Sequence, residues 1–361
     1  MAETEFALGD ALAVQIWSTS LAVEADVQQY FAKFMTTGDD NVIKIKTELE
    51  KQAGEKITYA LRMKMTGDGI EGDNIIEGTS AEEALVFYSD YIFIDQRRKG
   101  TKSKGQMSEQ RVPYKMREEG RNALASWWAE DYDQQSFIYL SGARGVDTSF
   151  HVPTSFTGRA NNTVTAPDSG HILYGGSATS KATISTSDTL KVDICERIVA
   201  MIETLSPPLM PLRINGEDKF ILLMHTWQAF AMRTAISAQD WLEIQKAVSN
   251  MQDTLIYKNS LGEYAGIIMH KHRNVIRFSD YGASGTETAA RALCLGAQAG
   301  VVAWGGGQRG VGRYTWNEEK DDRGNALAIT SGSIFGVKKT MFNSKDFGVI
   351  AVDTYCDDPN S

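Results

Sequence analysis

The sequence predicts an α+β fold arranged around one long helix. Between Ser108 and Gly142, apolar residues recur at near-helical spacing without a convincing break, over a longer stretch than anywhere else in the chain. A later block, from about residue 190 to residue 312, combines helix and strand patterns, and strand-like runs follow it, so the simplest topology is an α+β domain inserted between a helix and its companion strands. The chain has 361 residues, of which 42% are hydrophobic, enough for a substantial core and two or three domains.

Composition and charge argue against several classes of protein. The N-terminal segment carries acidic residues where a secretory signal requires cations, and no apolar run approaches the ~18 residues of a membrane span, so we expect a protein of a soluble compartment. Three widely spaced cysteines without a CxxC pair disfavour a disulfide framework or a thiolate zinc site. The net charge of −9 disfavours tight, sequence-independent DNA binding, so any contact with DNA should be local or weak.

An arm and a two-stranded excursion are predicted to precede the long helix. Residues 10 to 35 have apolar side chains at helix-compatible spacings, and residues 57 to 65 end in the alternation of a half-buried strand. A second strand-like run covers residues 84 to 94. Between the two strands, residues 67 to 83 contain six acidic residues, four glycines and no basic residue, which predicts a flexible, negatively charged loop.

The charges of this excursion are sorted along the sequence into an acidic tip and a basic root. A two-stranded hairpin buries little surface by itself and is marginally stable alone, so we expect it to contact a partner. The alternative is a solvated hairpin whose charges only keep it soluble. The predicted contact residues are Asp68, Glu71, Asp73 and Glu77 at the tip, and Arg97, Arg98, Lys99, Lys102 and Lys104 at the root.

The long helix is expected to act as a scaffold. Pro113 stands where a first helical turn tolerates proline, and Gly142 is suited to end the helix. The adjacent Trp127 and Trp128 point about 100° apart, so one of them should be buried beneath neighbouring strands. Charged residues are expected to form the solvent-facing side of this helix, namely Arg117, Glu118, Glu119, Arg121 and Asp133.

A compact α+β block is predicted from residue 190 to residue 312. Its first element is a helix over 190 to 205, with Ile198 on the apolar face, and its central strand is Phe220–Met224. The last element, from 288 to 304, is rich in small residues and suited to packing against a sheet. Further helices are predicted over 226–236 and 240–250, and further strands over 264–270 and 274–277.

The segments that flank this block have thinner patterns. Residues 143 to 189 are rich in Ser, Thr, Gly and Asn, which predicts short strands and loops in an inserted or peripheral element. The tail from residue 313 returns to strands, over 334–338 and 346–355, that are expected to rejoin the long helix. The α+β block would then be inserted between a helix and its companion strands.

No catalytic, cofactor-binding or metal-binding residues are predicted. The run Gly305–Gly310 matches GxGxxG, but strand-like residues follow it where a dinucleotide site needs a helix N-terminus. His270 and His272 have the spacing of a metal pair without a third ligand nearby in sequence. The acidic residues within 318 to 322 are expected in a solvated turn. No GxSxG, Walker or HExxH motif occurs.

Seven segments stand in collinear order over most of residues 55 to 355. They are EKITYALRMKMTGDGIEGDN (55–74), FIDQ (93–96), SKGQMSEQRVPYKMREE (103–119), LASWWAEDYDQQSFIYLSG (124–142), GAQAGVVAWG (296–305), DDRGNALAITSGSIFGVKKTMFN (321–343) and DFGVIAVDTY (346–355). Together these segments resemble major capsid proteins of tailed phages, in the branch named for coliphage N-four. The resemblance covers the arm and the segment 143–189 only weakly.

The resemblance implies the Hong Kong 97-like fold, in which an extended hairpin, the E-loop, lies across a neighbouring subunit. The predicted tip and root charges would then be intersubunit contacts. The short segment before the hairpin leaves no room for a large N-terminal scaffolding domain, so a separate scaffolding protein, or none, is expected. The implied domains are an N-terminal arm (1–56), the E-loop hairpin (57–107), a P domain with its spine helix (108–142) and the inserted segment (143–189), an A domain (190–312), and return strands of the P domain (313–361).

The resemblance also implies a function. The expected protein is a major capsid protein that self-assembles into hexamers and pentamers of an icosahedral head and encloses double-stranded DNA. Portal, scaffolding and decoration proteins are its expected partners, and no contact with a membrane is expected. Assembly is expected in the host cytoplasm. Two alternatives stay open at this point: an encapsulin-like compartment shell, and an α+β nucleotide-binding enzyme that uses Gly305–Gly310.

Overall fold

The computed structural model describes residues 11–50, 53–62, 65, 68–78, 81–113, 115–214, 216–236, 241, 260–306 and 313–359. These residues form α-helices and mixed sheets, in agreement with the predicted α+β class. The helices are α1 (Ala11–Gln28), α2 (Gln106–Gln110), α3 (Met116–Ser141), α4 (Asp193–Thr204) and α5 (Thr226–Thr234). The strands are β1 (Met35–Thr36), β2 (Ile43–Lys46), β3 (Lys56–Arg62), β4 (Phe87–Phe93), β5 (Asp95–Lys102), β6 (Gly158–Arg159), β7 (Asn162–Thr163), β8 (Ile172–Tyr174), β9 (Leu212–Ile214), β10 (Glu217–Met224), β11 (Ser260–Tyr264), β12 (Ile267–Lys271), β13 (Arg277–Tyr281), β14 (Glu287–Leu295), β15 (Gly300–Gly305), β16 (Tyr314–Asp321), β17 (Ala326–Lys339), β18 (Met341–Phe342), β19 (Lys345–Asp346) and β20 (Val349–Tyr355).

The long helix α3 is shorter at its N-terminus than the sequence predicts. A separate short helix, α2, precedes it, and Pro113 lies in the break between the two. Proline disfavours helical backbone at the residue before it, here Val112, so α2 ends and α3 starts anew with Lys115 in an extended N-cap conformation. At the other end, Gly142 adopts φ 69° and terminates α3, as predicted.

The C-terminal half of α3 has no solvent-facing side, because every residue from 131 to 141 is buried. Asp133 was predicted to face solvent, and that prediction is wrong. Its carboxylate instead accepts hydrogen bonds from the backbone N–H groups of Tyr30 (2.8 Å) and Phe31 (3.1 Å) in the N-terminal arm. A buried carboxylate with these two donors fixes the arm to the long helix.

The two adjacent tryptophans of α3 have different surroundings, as predicted. Trp128 is 0% exposed and donates a hydrogen bond from its indole nitrogen to Ser331 Oγ of β17 at 3.2 Å. One turn later, the Tyr132 hydroxyl donates to Ser333 Oγ of the same strand at 2.9 Å. Trp127 is only half-buried. The prediction that one tryptophan lies beneath strands is therefore confirmed.

The first sheet forms the platform under α3. It has six strands in the order β1-β2-β15-β17-β16, and β5 pairs with the N-terminal part of β17. The central strand β17 is 14 residues long and pairs antiparallel with β5, β15 and β16. The arm helix α1 covers the outer part of this platform, where Trp17 stacks on Trp316 with ring centroids 5.9 Å apart.

The second sheet carries helices α4 and α5. It has eight strands, of which six follow the order β11-β12-β10-β14-β20-β8. The other two are β13, which pairs with β14, and β9, which pairs with β10. Ile198 of α4 is 0% exposed in the core between that helix and the sheet, as its position on the apolar face predicted. The guanidinium of Arg291 pairs with Asp353 at 2.7 Å within this sheet and donates to the Ser141 carbonyl at 2.9 Å, which joins the sheet to the end of α3.

Residues 288 to 304 form two strands that belong to different sheets, not a single packing element. β14 lies in the second sheet and β15 in the first. Gly296 follows β14 at a close approach, because a Cβ there would meet the Met210 carbonyl oxygen at 2.4 Å. The final strand, β20, pairs with β14 in the second sheet, while β16 and β17 lie in the first sheet, next to α3.

The predicted helix over 240–250 lies outside the described residues except for Trp241.

The acidic residues within 318 to 322 are divided between a strand and a turn, whereas the sequence predicted a turn for all of them. Asp322 begins the short turn of residues 322–324 that joins β16 to β17. Glu318, Glu319 and Asp321 are part of β16, which pairs along its length with β17. Glu318 accepts hydrogen bonds from Trp316 Nε1 at 2.8 Å and from Arg117 of α3, so this carboxylate supports the sheet–helix packing.

Among the residues that the structure describes, no helix is long and apolar enough to span a membrane.

Candidate intersubunit contact surface

The predicted excursion is a two-stranded hairpin that is buried only at its base. β3 and β4 pair antiparallel from Lys56 opposite Phe93 to Arg62 opposite Phe87. Ile57 and Ile92 face inward at the base and pack against β15 of the first sheet. Tyr59 packs beside this cluster, whereas the large apolar side chains described further along the hairpin, such as Met65, Ile75 and Phe87, are exposed, so only the base of the hairpin is packed on the body of the subunit.

The carboxylate of Asp90 anchors the hairpin base to the end of β17. Asp90 is 5% exposed, and it accepts hydrogen bonds from the Tyr59 hydroxyl at 2.9 Å and the Met341 N–H at 3.2 Å. The ammonium of Lys338 also pairs with it. These donors belong to the partner strand and to the body of the subunit, so one buried anion connects both.

The acidic tip lies where the hairpin has no strand pairing. Asp68, Glu71, Asp73 and Glu77 are all exposed, and residues 68 to 78 have no regular secondary structure. These carboxylates are therefore free of burial and are available to cations on another molecule. The geometry agrees with the predicted negative loop.

Most of the basic root lies on the edge strand β5. Arg97, Arg98, Lys99 and Lys102 lie on this strand, and Lys104 follows it. Pairing of β5 with β17 alternates the direction of successive side chains, so the basic residues cannot all face one partner. Lysine and arginine on an edge strand also discourage unwanted strand pairing.

Two root residues have acidic partners within the same chain. Arg97 contacts the Asp131 carboxylate of α3 at 2.9 Å, and Lys102 pairs with Asp321 of β16. Burial raises the pKa of Asp131, and the guanidinium of Arg97 opposes that rise. Arg97 also lies 4.9 Å from the centroid of the Trp127 ring. The intersubunit role of the nine predicted residues stays a prediction, and Arg97 and Lys102 have clear intrachain roles.

Sequence reasoning missed an apolar surface on the same hairpin. Ile75, Ile76 and Phe87 are 76%, 53% and 58% exposed, although exposed isoleucine and phenylalanine are unfavourable in water. The adjacent Ile75-Ile76 pair inside an otherwise polar loop was the available signal. The other exposed large apolar side chains of the hairpin are Met65, Leu85, Val86 and Tyr91.

The residues considered for chemistry are dispersed or buried. Gly305 ends β15, and residues 307 to 310 lie outside the described ranges. His270 is 0% exposed. The ring of His272 stacks on Phe137, and burial lowers the pKa of His272 to about 4. Within the described ranges, no group of three or more His, Cys, Asp or Glu residues is arranged to hold a metal ion.

Comparisons with known proteins agree on one family. The family model described as "Phage capsid protein" matches residues 5–357. The chain is 26% identical over 369 aligned positions to the major capsid protein of Pseudomonas phage KPP25, covering 93% of each chain. It is similar to the solved capsid of Ralstonia phage GP4, with 41% identity, a TM-score of 0.87 and full coverage of both chains. It also shares its fold with the capsid of cyanophage Pam1, with a TM-score of 0.72, 17% identity and coverage of 99% and 94%.

These similarities confirm the predicted Hong Kong 97-like capsid fold and do not favour the compartment-shell and nucleotide-enzyme alternatives. The chain belongs to the phage capsid protein family and is the major capsid protein of a phage, a structural protein that forms the shell of the virion and not an enzyme.

Proposed function

We propose that the chain forms hexamers and pentamers of an icosahedral, tailed-phage head of the podovirus type, within the branch named for coliphage N-four, around double-stranded DNA. The observation that carries this proposal is the full-length similarity to the capsid of Ralstonia phage GP4. The net charge of −9 supports weak, non-specific contact with the packaged DNA. Portal, scaffolding and decoration proteins are the further proposed partners, and assembly in the bacterial cytoplasm precedes release of the virion.

The proposed domain map follows the chain order. Residues 1–56 are the arm and 57–107 the E-loop hairpin. The sheet pairing supports a division of the remainder between a P domain on the α3 side and an A domain on the second sheet. The other proposed ranges are 108–189 for the P domain with its inserted segment, 190–312 for the A domain and 313–361 for the return strands, of which β20 pairs with the A-domain strand β14.

We infer that the hairpin reaches a neighbouring subunit and contacts it with its acidic tip, its exposed apolar residues and the root charges. Exposed Ile75, Ile76 and Phe87 support this inference, since burial of such side chains against another copy removes apolar area from water. A single exposed charge pair contributes only about 0–1 kcal/mol, but a closed shell repeats it in every copy and uses it to select register. Assembly should therefore weaken at high salt.

Charge reversal tests the contact without disturbing the fold. Arg98 and Lys104 are exposed, so the double variant Arg98→Glu/Lys104→Glu should lower particle yield in sedimentation while the chain stays folded. The matched control is Lys191→Glu/Lys271→Glu, which changes the net charge equally at exposed positions of the A domain. Arg97 and Lys102 are left intact because of their intrachain partners.

The partner of the root is identified by rescue. Lysine substitutions at Glu71, Asp73 and Glu77 should restore particle yield if tip and root pair between chains. Unchanged yield and salt tolerance in the first variant would mean that the hairpin charges are merely solvated. Loss of yield without rescue would mean that the root contacts a different surface from the tip.

A further inference from the structure

The direction of the hairpin is decided at its base, because none of the described residues between Arg62 and Ser89 has a buried side chain to hold the remainder. The body of the subunit approaches the base from two sides. On one side is the Asp90 anchor at the end of β17 described above. On the other side is a small turn of the inserted segment, made by β6 and β7, whose Asn162 is 2% exposed.

Asn162 pairs with the outer edge of β4 as a neighbouring strand would. The Phe93 N–H donates to Asn162 Oδ1 at 3.0 Å, and Asn162 Nδ2 donates to the Phe93 carbonyl at 2.8 Å. A side-chain amide carries an acceptor and a donor like those of a peptide group, so it satisfies both groups of one residue at a strand edge. Buried backbone groups left without such a partner would be costly.

The turn that carries Asn162 is held in place by the long helix. Tyr139 of α3 is 2% exposed, and its hydroxyl donates to the Asn162 carbonyl at 2.9 Å. The same hydroxyl accepts from the Arg159 N–H at 2.8 Å. Ala160 and Asn161 have φ values of 54° and 58°, the left-handed pair of a tight two-residue hairpin turn. Hydrogen bonds therefore run without interruption from α3 through the turn to β4.

The packing at this point leaves no room for adjustment. A Cβ on Gly336 of β17 would meet the Phe93 carbonyl oxygen at 1.9 Å and Asn162 Nδ2 at 3.2 Å. The hairpin strand, the central strand of the first sheet and the turn thus meet at backbone contact distance. A shift of any one of them would move the hairpin.

We propose that the turn from Gly158 to Thr163 is a brace, with Asn162 as its positioning residue, that sets the angle at which the hairpin leaves the subunit and thereby the geometry of the shell. The proposal rests on the proposed contact of the hairpin with a neighbouring subunit. It gives the inserted segment 143–189 a role in assembly. Small changes of hairpin angle at every copy would add up to a different curvature of the closed particle.

The test compares Asn162→Ala with the control Asn161→Gly in the full-length chain. Asn161 is exposed and already left-handed, so glycine there should leave the brace intact. In Asn162→Ala, amide hydrogens of β4 should exchange about tenfold faster, while those of β14 keep their wild-type rate. Reconstructions of the particles should show a broader range of diameters for Asn162→Ala than for the control.

Two results would overturn the brace. One is wild-type exchange in β4 of Asn162→Ala, and the other is faster exchange in β4 with particles of wild-type diameter and uniformity. If Asn162→Ala is insoluble, Tyr139→Phe gives the same readouts, since it keeps the buried ring and removes only the hydroxyl. Failure of the wild-type chain to form particles would count against the proposed function instead, because the exchange experiment needs no assembly.

Discussion

The long helix should depend far more on Trp128 than on its neighbour Trp127. The Trp128 ring is 0% exposed, stacks on Tyr132 with centroids 5.7 Å apart and meets the edge of Tyr314 at 5.5 Å. Truncating a buried tryptophan to alanine costs about 3–5 kcal/mol, and the Ser331 hydroxyl that loses its indole partner adds about 1 kcal/mol. Trp128→Ala should thus lower the free energy of unfolding by about 4–6 kcal/mol.

Trp127 makes weaker contacts. It is half-buried, and the cations of Arg97 and Lys99 lie 4.9 Å and 5.4 Å from its ring. Each cation–π contact contributes about 0.5–1 kcal/mol at an exposed site, so Trp127→Ala should cost about 1–2 kcal/mol. Urea unfolding of the unassembled chain, followed by far-ultraviolet circular dichroism, measures both losses without relying on tryptophan fluorescence.

Total stability of a domain is about 5–15 kcal/mol, so Trp128→Ala is at the limit of folding. Trp128→Phe serves as the companion variant, because it retains most of the ring and should be folded with an intermediate loss. Equal losses for the two alanine variants, or a greater loss for Trp127→Ala, would refute the assignment of α3 as the helix that the strands of the first sheet cover.

Three further changes follow from the same packing. Ile198→Asp places an unpaired charge in a core position that is 0% exposed, at a cost of several kcal/mol, and should give insoluble chain; soluble, assembling protein would contradict the packing of α4. Burial raises the pKa of Asp133 to about 7, so between about pH 4 and 7 the folded chain holds a proton that the unfolded chain has released. The contribution of Asp133 to the free energy of unfolding therefore falls as pH rises through this range. His272 has the opposite effect on stability, because burial lowers its pKa to about 4 and the free energy of unfolding therefore rises with pH over the same range. The Asp133 contribution is isolated by measuring the urea midpoint at pH 5 and 7.5 in wild type and in Asp133→Asn. An identical pH dependence of the two proteins would exclude the Asp133 effect. Arg97→Ala removes the cation paired with the buried Asp131 carboxylate, which keeps its hydrogen bond from Gln135, so the loss should be about 3 kcal/mol, whereas Arg98→Ala should change urea stability by less than about 0.5 kcal/mol; similar values would show that the ion pair of Arg97 is not structural.

Patterns with one strong period predicted the elements of the fold well. α4 has a single apolar face and was found within a few residues, and Gly142 ended α3 as its left-handed backbone requires. The start of α3 was misplaced because Pro113 is compatible with a first helical turn but also disfavours helix in the residue before it. Asp133 was misassigned because a charged side chain suggests solvent, and only the folded arm brings the backbone donors that bury it.

The candidate contact surface was only partly predictable. Charge sorting identified the hairpin, but the register that pairs β5 with β17, and so gives Arg97 its partner on α3, depends on residues more than two hundred positions apart. The split of residues 288 to 304 between two sheets was equally hidden, since both strands are apolar and of similar length. Asn162 gave no sequence signal, because an amide in a polar segment resembles any loop residue until the strand edge that it satisfies is known.

A reconstruction of particles formed by the purified chain tests the central claim most directly. We expect closed shells of hexamers and pentamers, in which the hairpin of each copy lies across a neighbour with Ile75, Ile76 and Phe87 buried in the contact. A single small soluble species at every salt concentration, or shells in which these three side chains remain in solvent, would contradict it.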